Sequence, residues 1–115
     1  MATFYPIDFS RAIPNVKWSS GMNESSAVKY VSNGSGYDVW TRYESDARSL
    51  ANHFPNPKRD VAHFRLKRDP GSAPTFNYSF EHYHFDNNRG RVHIMFGNAY
   101  EDASRHNMLD IESLR

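Results

Sequence analysis

Residues 76–97 read FNYSFEHYHFDNNRGRVHIMFG, and the way this stretch folds decides the rest of the chain. Two apolar-rich arms flank the polar run Asn87-Asn88-Arg89-Gly90, and three of the six histidines (His82, His84 and His93) lie on those arms. Asn and Gly tolerate the positive φ that tight turns need, so the stretch predicts a β-hairpin. Successive side chains of a strand point to opposite faces. Phe80, His82 and His84 therefore share one face of the first arm, with Glu81, Tyr83 and Phe85 on the other. On the second arm Arg91, His93 and Met95 oppose Val92, Ile94 and Phe96.

The turn sets which faces coincide. With a four-residue loop over 87–90, Phe85 pairs with Val92 and Tyr83 with Ile94. His84 then meets His93, with Arg91 and His82 as diagonal neighbours and paired Cβ atoms about 4.5–5.5 Å apart. A three-residue loop with a bulge at Gly90 reverses the relation and puts His84 among Val92 and Ile94. The first register is expected, because it sorts apolar from polar residues on both strands.

Working outward, residues 60–68 alternate Ala62, Phe64 and Leu66 with His63, Arg65 and Lys67, which predicts a strand with one buried face. With Lys58, Arg59 and Arg68 this is the most basic part of the chain, either a solvated strand face or a phosphate-contacting strip. Residues 41–54 predict the main helix. Thr41 and Glu44 fit a capping box, while Tyr43, Ala47, Leu50, Ala51 and Phe54 form one apolar stripe. Pro55 and Pro57 stop it, and His53 in its last turn reads as a helix-end residue. Further upstream, Ala27 to Ser32 has strand chemistry, followed by the Asn33-Gly34 turn signal and Tyr37-Asp38-Val39-Trp40, which predicts a first hairpin. Residues 1–24 carry no sustained period and predict an irregular arm pinned by aromatics. Glu101 to His106 predicts a short helix, and the MLDIESLR tail is short and amphipathic.

The expected fold is thus α+β, one domain over residues 1–115. An antiparallel sheet of four to five strands packs against one main helix, with an irregular N-terminal arm. A chain of 115 residues with 15% aromatic and 23% charged residues is long and apolar enough to bury a core. The absence of cysteine excludes disulfides, thiolate metal sites and thiol catalysis. A formal net charge of +1 argues neither for nor against nucleic acid. The first residues lack the basic start and apolar core of a signal peptide, and no apolar run approaches the roughly 18–20 residues of a membrane span.

Two imidazoles and a guanidinium on one sheet face can cleave RNA without a metal or other cofactor. A neutral histidine takes the proton of the 2′-hydroxyl and a protonated one supplies the leaving 5′-oxygen. Histidine suits both roles because its ordinary pKa of about 6.5 lies near working pH. A fixed cation stabilises the charge growing on phosphorus. His84, His93, Arg91 and His82 are the candidate catalytic residues, Arg65 and Lys67 the candidate phosphate contacts, and Tyr83 a candidate base-stacking residue. Two other readings stand beside this one. His82 and His84 at H-x-H spacing could join His93 in a three-histidine metal site, or the aromatic-rich surface could serve a non-catalytic immunity or adaptor module.

The helix core Ala47-Arg48-Ser49-Leu50-Ala51, the His82-Tyr83-His84 motif and the His93-Ile94-Met95-Phe96-Gly97 motif cover roughly residues 37–97. In that order they resemble the C-terminal toxin domains of bacterial polymorphic toxins of the Rhs and contact-dependent-inhibition type. Many of these are similar to metal-independent ribonucleases of the barnase, EndoU, colicin and RelE class. The resemblance implies an RNA-cleaving toxin with His84 and His93 as its active-site pair and Arg91 and Arg65 on the phosphate. It also implies a cognate immunity protein, and a secreted effector acting in the cytoplasm of a target cell.

Overall fold

The computed structural model describes residues 2–8, 14–32, 38–61, 78–87, 90–100 and 107–115. Six strands form one mixed sheet: β1 (Tyr5–Asp8), β2 (Asn15–Val16), β3 (Val39–Thr41), β4 (Lys58–Asp60), β5 (His82–Asn87) and β6 (Gly90–Phe96). Their order across the sheet is β2-β1-β3-β6-β5-β4. All neighbours are antiparallel except β3 and β6, which run parallel. A parallel pair needs a crossover, and here it contains α2 (Glu44–Ala51). A second helix, α1 (Glu24–Ser32), precedes β3.

The α+β class and the mostly antiparallel sheet agree with the sequence reading, while the count of elements differs. Among the described residues there are six strands rather than four to five, and two α-helices rather than one main helix. The arm read as irregular supplies β1 and β2. Residues 27–32, read as a strand, belong to α1. That helix starts at Asn23, whose side chain accepts from the backbone N–H of Ser26 at 2.8 Å, an N-cap that satisfies one orphan donor. Ala27 and Val31, one helical turn apart, are its two buried residues. Burial of that stripe overrides the strand preference of Val28, Tyr30 and Val31. With a helix there, residues 27–32 cannot form the first hairpin; its Asn33-Gly34 turn lies outside the described residues.

The main helix is shorter than expected, and its capping box does not form. Thr41 is the last residue of β3 and donates its hydroxyl to the Thr3 carbonyl at 2.9 Å, and Tyr43 occupies the N-cap without a side-chain cap. Glu44 turns instead toward the sheet edge. It accepts from Arg59 Nε at 2.8 Å and from the Tyr83 hydroxyl at 2.9 Å. The Arg59 guanidinium also reaches Glu81 at 3.0 Å, so one cation ties β4 to α2 and to the residue before β5. Phe54, just past α2, stacks on Phe85 with ring centroids 4.1 Å apart.

Cores lie on both sides of the sheet. On the helix side, Val39, Tyr83, Phe85, Val92, Ile94 and Phe96 pack against Ala27, Val31, Ala47, Leu50 and Ala51. On the other side Tyr5, Ile7, Trp40 and Met95 pack with Phe80, Ala99 and Ile111. Ile111 enters from a 3₁₀ helix (Ile111–Leu114) built on the amphipathic tail. That second core covers only part of its face, and the polar remainder carries the histidines.

The stretch expected as a strand over 60–68 is described only through Val61, with Asp60 the last residue of β4; Arg65 and Lys67 lie outside the described residues, as does the short helix expected over 101–106.

Candidate active site

The β5–β6 ladder pairs Phe85 with Val92, Tyr83 with Ile94 and His84 with His93. It continues through Asp86–Arg91 to Asn87–Gly90. The loop between the strands is therefore two residues shorter than the four-residue loop expected, with the same parity. Gly90 has φ of 136°, a conformation that side chains disfavour. The slipped alternative, with His84 among Val92 and Ile94, is not the register observed.

Residues paired across strands share a face, so two transverse rows can be followed. One runs Trp40, Met95, His82, Asp60, and the next runs His93, His84, Lys58. Asp38, immediately before β3, completes the second row beside His93. Arg91 and Asp86 form the step beyond. Three imidazoles thus meet on one surface. Their ring centroids are 5.7 Å apart for His82–His84, 5.2 Å for His82–His93 and 6.4 Å for His84–His93. His82 is 2% exposed and His84 9%, while the side chain of His93 is 29% exposed.

An oxygen acceptor engages one nitrogen of each ring. His93 Nδ1 faces Asp38 Oδ1 at 3.2 Å, and the same oxygen accepts the His93 backbone N–H at 2.9 Å. His84 Nε2 faces Asp60 Oδ2 at 3.3 Å. His82 Nδ1 faces the Phe80 carbonyl at 3.0 Å. An ionised carboxylate or a carbonyl only accepts, so each of these nitrogens carries the proton. That leaves His93 Nε2 and His84 Nδ1 for proton exchange. The two carboxylates hold the orientation of the two rings much as a second shell holds a catalytic histidine.

The cations are arranged unevenly. Lys58 pairs with His84 in the β4–β5 ladder and is exposed. Arg91 lies on the same face, one paired step from His93, with its Nε on Asp86 at 3.2 Å. Both side chains of that pair are more than half exposed, so the ion pair is weak and another anion can compete for the guanidinium. Arg59, by contrast, is committed to Glu44 and Glu81 on the far face.

Tyr83 is placed away from the histidines. Strand alternation turns it into the helix-side core, where its hydroxyl donates to Glu44 and accepts from Arg48 Nε at 3.2 Å. It is buried and offers no ring to a base on the histidine face. His53 is bound to Glu24 at 3.0 Å, on the outer side of the two helices. A groove of about 280 Å³, lined among others by Trp40, Arg42, Tyr43 and Met108, lies past the ends of β3 and β6 and includes none of the histidines.

Sequence reasoning missed Asp38 and Asp60, and counted Lys58 only as part of the basic strip. Asp38 is 55 positions from His93 and arrives through the parallel β3–β6 pairing, for which no local signal exists. Asp60 and Lys58 arrive through β4 (Lys58–Asp60), which precedes the alternating stretch 62–67 and whose pairing with β5 had no local signal.

Among the described residues no group of three or more His, Cys, Asp or Glu side chains is arranged to hold a metal ion. Nor is any of their helices long and apolar enough to cross a membrane. No protein-family model, curated protein or solved structure matches the chain.

Proposed function

We propose that this chain is an RNA-cleaving domain that transfers phosphodiesters with a histidine pair and without a metal. The observation that carries the reading is the cross-strand pair His84–His93, each ring held by its own carboxylate, with exposed cations on the same face.

In this mechanism one ring, in its neutral form, takes the 2′-hydroxyl proton through its free nitrogen. The 2′-oxygen attacks phosphorus while the P–O5′ bond breaks. The second ring, protonated beforehand, gives its proton to the departing 5′-oxygen. The products are a 2′,3′-cyclic phosphate and a free 5′-hydroxyl. One proton is taken up and one released, so the pair must exchange protonation states before the next turnover. His93 is the better placed base, because it is the more exposed ring and Asp38 fixes which nitrogen faces outward. His84 is the acid and Lys58 the neighbouring cation, with Arg91 available to a phosphate once it leaves Asp86. These cations act by stabilising charge that grows in the transition state.

The polymorphic-toxin resemblance extends this proposal to a secreted effector that acts in a target-cell cytoplasm and is neutralised by a cognate immunity protein. The supporting residues are the same His82-Tyr83-His84 and His93 to Gly97 motifs. The test is incubation of purified protein, made without a His-tag, with end-labelled RNA in excess EDTA. The proposal expects fragments ending in 2′,3′-cyclic phosphate. No cleavage of any RNA, or cleavage lost in EDTA and restored by a divalent cation, would overturn it.

A further inference from the structure

We infer that the adjoining ring faces of Tyr5 and Trp18 are a binding site for a guanidinium group, and that Arg115 is its resident occupant. Tyr5 and Trp18 meet edge to face with centroids 4.9 Å apart, and Trp40 closes the cluster at 5.6 Å from Trp18. The Arg115 guanidinium carbon lies 5.0 Å from the Trp18 ring centroid and 5.6 Å from that of Tyr5. Both distances fall within the reach of a cation–π contact. An Arg115 Nη2 hydrogen is donated to the Tyr5 hydroxyl at 3.2 Å. Among the described residues Arg115 makes no ion pair, so aromatic faces and one hydroxyl hold this charge where a carboxylate usually does.

The ring positions are built rather than incidental. The Tyr5 ring lies over Gly21, where an added Cβ would meet Tyr5 Cε1 at 2.8 Å, so the ring can occupy this position only because that residue has no side chain. Tyr5 and Trp40 are also fixed by the β1–β3 ladder, in which they pair directly. Trp18 comes from the short 3₁₀ helix Trp18–Ser20 and is only half-buried, so part of it remains exposed to solvent.

A planar, weakly hydrated guanidinium that both stacks and donates suits such a surface better than an ammonium. The ligand class is therefore an arginine side chain presented by another polypeptide. Arg115 competes with it at the effective concentration of a tethered group, on the order of millimolar. A guest enters only by displacing it. The histidine site uses none of these residues, so this inference stands apart from the ribonuclease reading.

The chain has two tryptophans, Trp18 and Trp40, and both lie in this cluster, so intrinsic tryptophan fluorescence reports on it. The experiment titrates Nα-acetyl-arginine amide into wild type and Arg115→Ala, with Nα-acetyl-lysine amide as the control cation. The expected result is a saturable change in Arg115→Ala at a concentration at least about tenfold below any response of wild type. The lysine probe should act more weakly, and Trp18→Leu added to Arg115→Ala should abolish the response. Should Arg115→Ala fail to fold by circular dichroism, Arg115→Gln, which has no charge, takes its place. Identical titrations of wild type and the Arg115 variant would overturn the inference, as would an equal response to lysine.

Discussion

His84 and His93 face each other across the β5–β6 ladder with ring centroids 6.4 Å apart, and each is held by a carboxylate from a different strand region. Asp38 reaches His93 from the start of β3, and Asp60 reaches His84 from the sheet-edge strand β4. The pair therefore depends on three pairings, β3–β6, β6–β5 and β5–β4, being in register together.

Asp38 acts through His93, so its role is separable from that of the imidazole. Asp38→Asn keeps the shape, and its amide oxygen can still accept from the His93 backbone N–H and Nδ1, but the negative charge that favours the His93 imidazolium is lost. The expected effect is a fall in RNA-cleavage kcat of about 10²-fold or more, with a changed pH profile and an unchanged circular dichroism spectrum. Comparison of kcat against pH for the two proteins checks this. A profile identical to wild type would assign Asp38 to structure alone.

Lys58 predicts a different pattern. It is exposed and pairs with His84 across the β4–β5 ladder, and Lys58→Ala should leave stability within about 0.5 kcal/mol of wild type. Cleavage should fall and should become less sensitive to salt, since one phosphate-facing charge is gone. Rates for both proteins across a salt series provide the measurement.

Glu44 is predicted to govern part of the acid stability. Arg59, bonded to it through two nitrogens, is the main reason its carboxyl is held below the ordinary carboxylate pKa, and the Tyr83 hydroxyl adds to the effect. A carboxylate with a lowered folded-state pKa stabilises the protein fully above its unfolded pKa, about 4.5. That stability is lost as pH falls through the lowered value. Glu44→Gln should therefore cost about 1 kcal/mol at pH 7, a modest figure because the pair is partly exposed. The difference from wild type should shrink as pH drops below about 4.5. Urea unfolding at several pH values checks both the sign and the window.

Asn23 tests the helix that the sequence reading took for a strand. Asn23→Ala removes the cap on the Ser26 N–H and is expected to destabilise by about 1 kcal/mol, whereas Asn23→Asp should be nearly neutral. Were residues 27–32 a strand, neither change would matter, and denaturant midpoints for the two variants decide it.

The hairpin and its histidine pair were legible because they rest on short-range information. Period-2 alternation set the faces of His84 and His93, and the sorting of apolar from polar residues on both strands chose the parity, even though the ladder runs one pair further than expected. Helix α2 was legible from the Ala47, Leu50, Ala51 stripe. Its capping box misled because Thr41 was already claimed by β3, whose partner β6 lies far along the chain. Helix α1 was hidden for a similar reason: Val28, Tyr30 and Val31 favour a strand in isolation, and only the burial of Ala27 and Val31 against the sheet decides otherwise. The carboxylates behind the histidines were invisible for want of any local rule that brings Asp38 beside His93. Tyr83 was misjudged as a base contact although alternation had already placed it opposite the histidines.

The central claim, that the paired imidazoles perform the chemistry, is tested most directly by RNA cleavage in EDTA with wild type, His84→Ala, His93→Ala and the double variant. Circular dichroism establishes that each is folded. The prediction is cleavage by wild type and a loss of about 10²–10⁴-fold in each single variant. The double variant should be little worse than either, because the two rings act as a unit. Wild-type cleavage that persists undiminished in the folded double variant would contradict the claim.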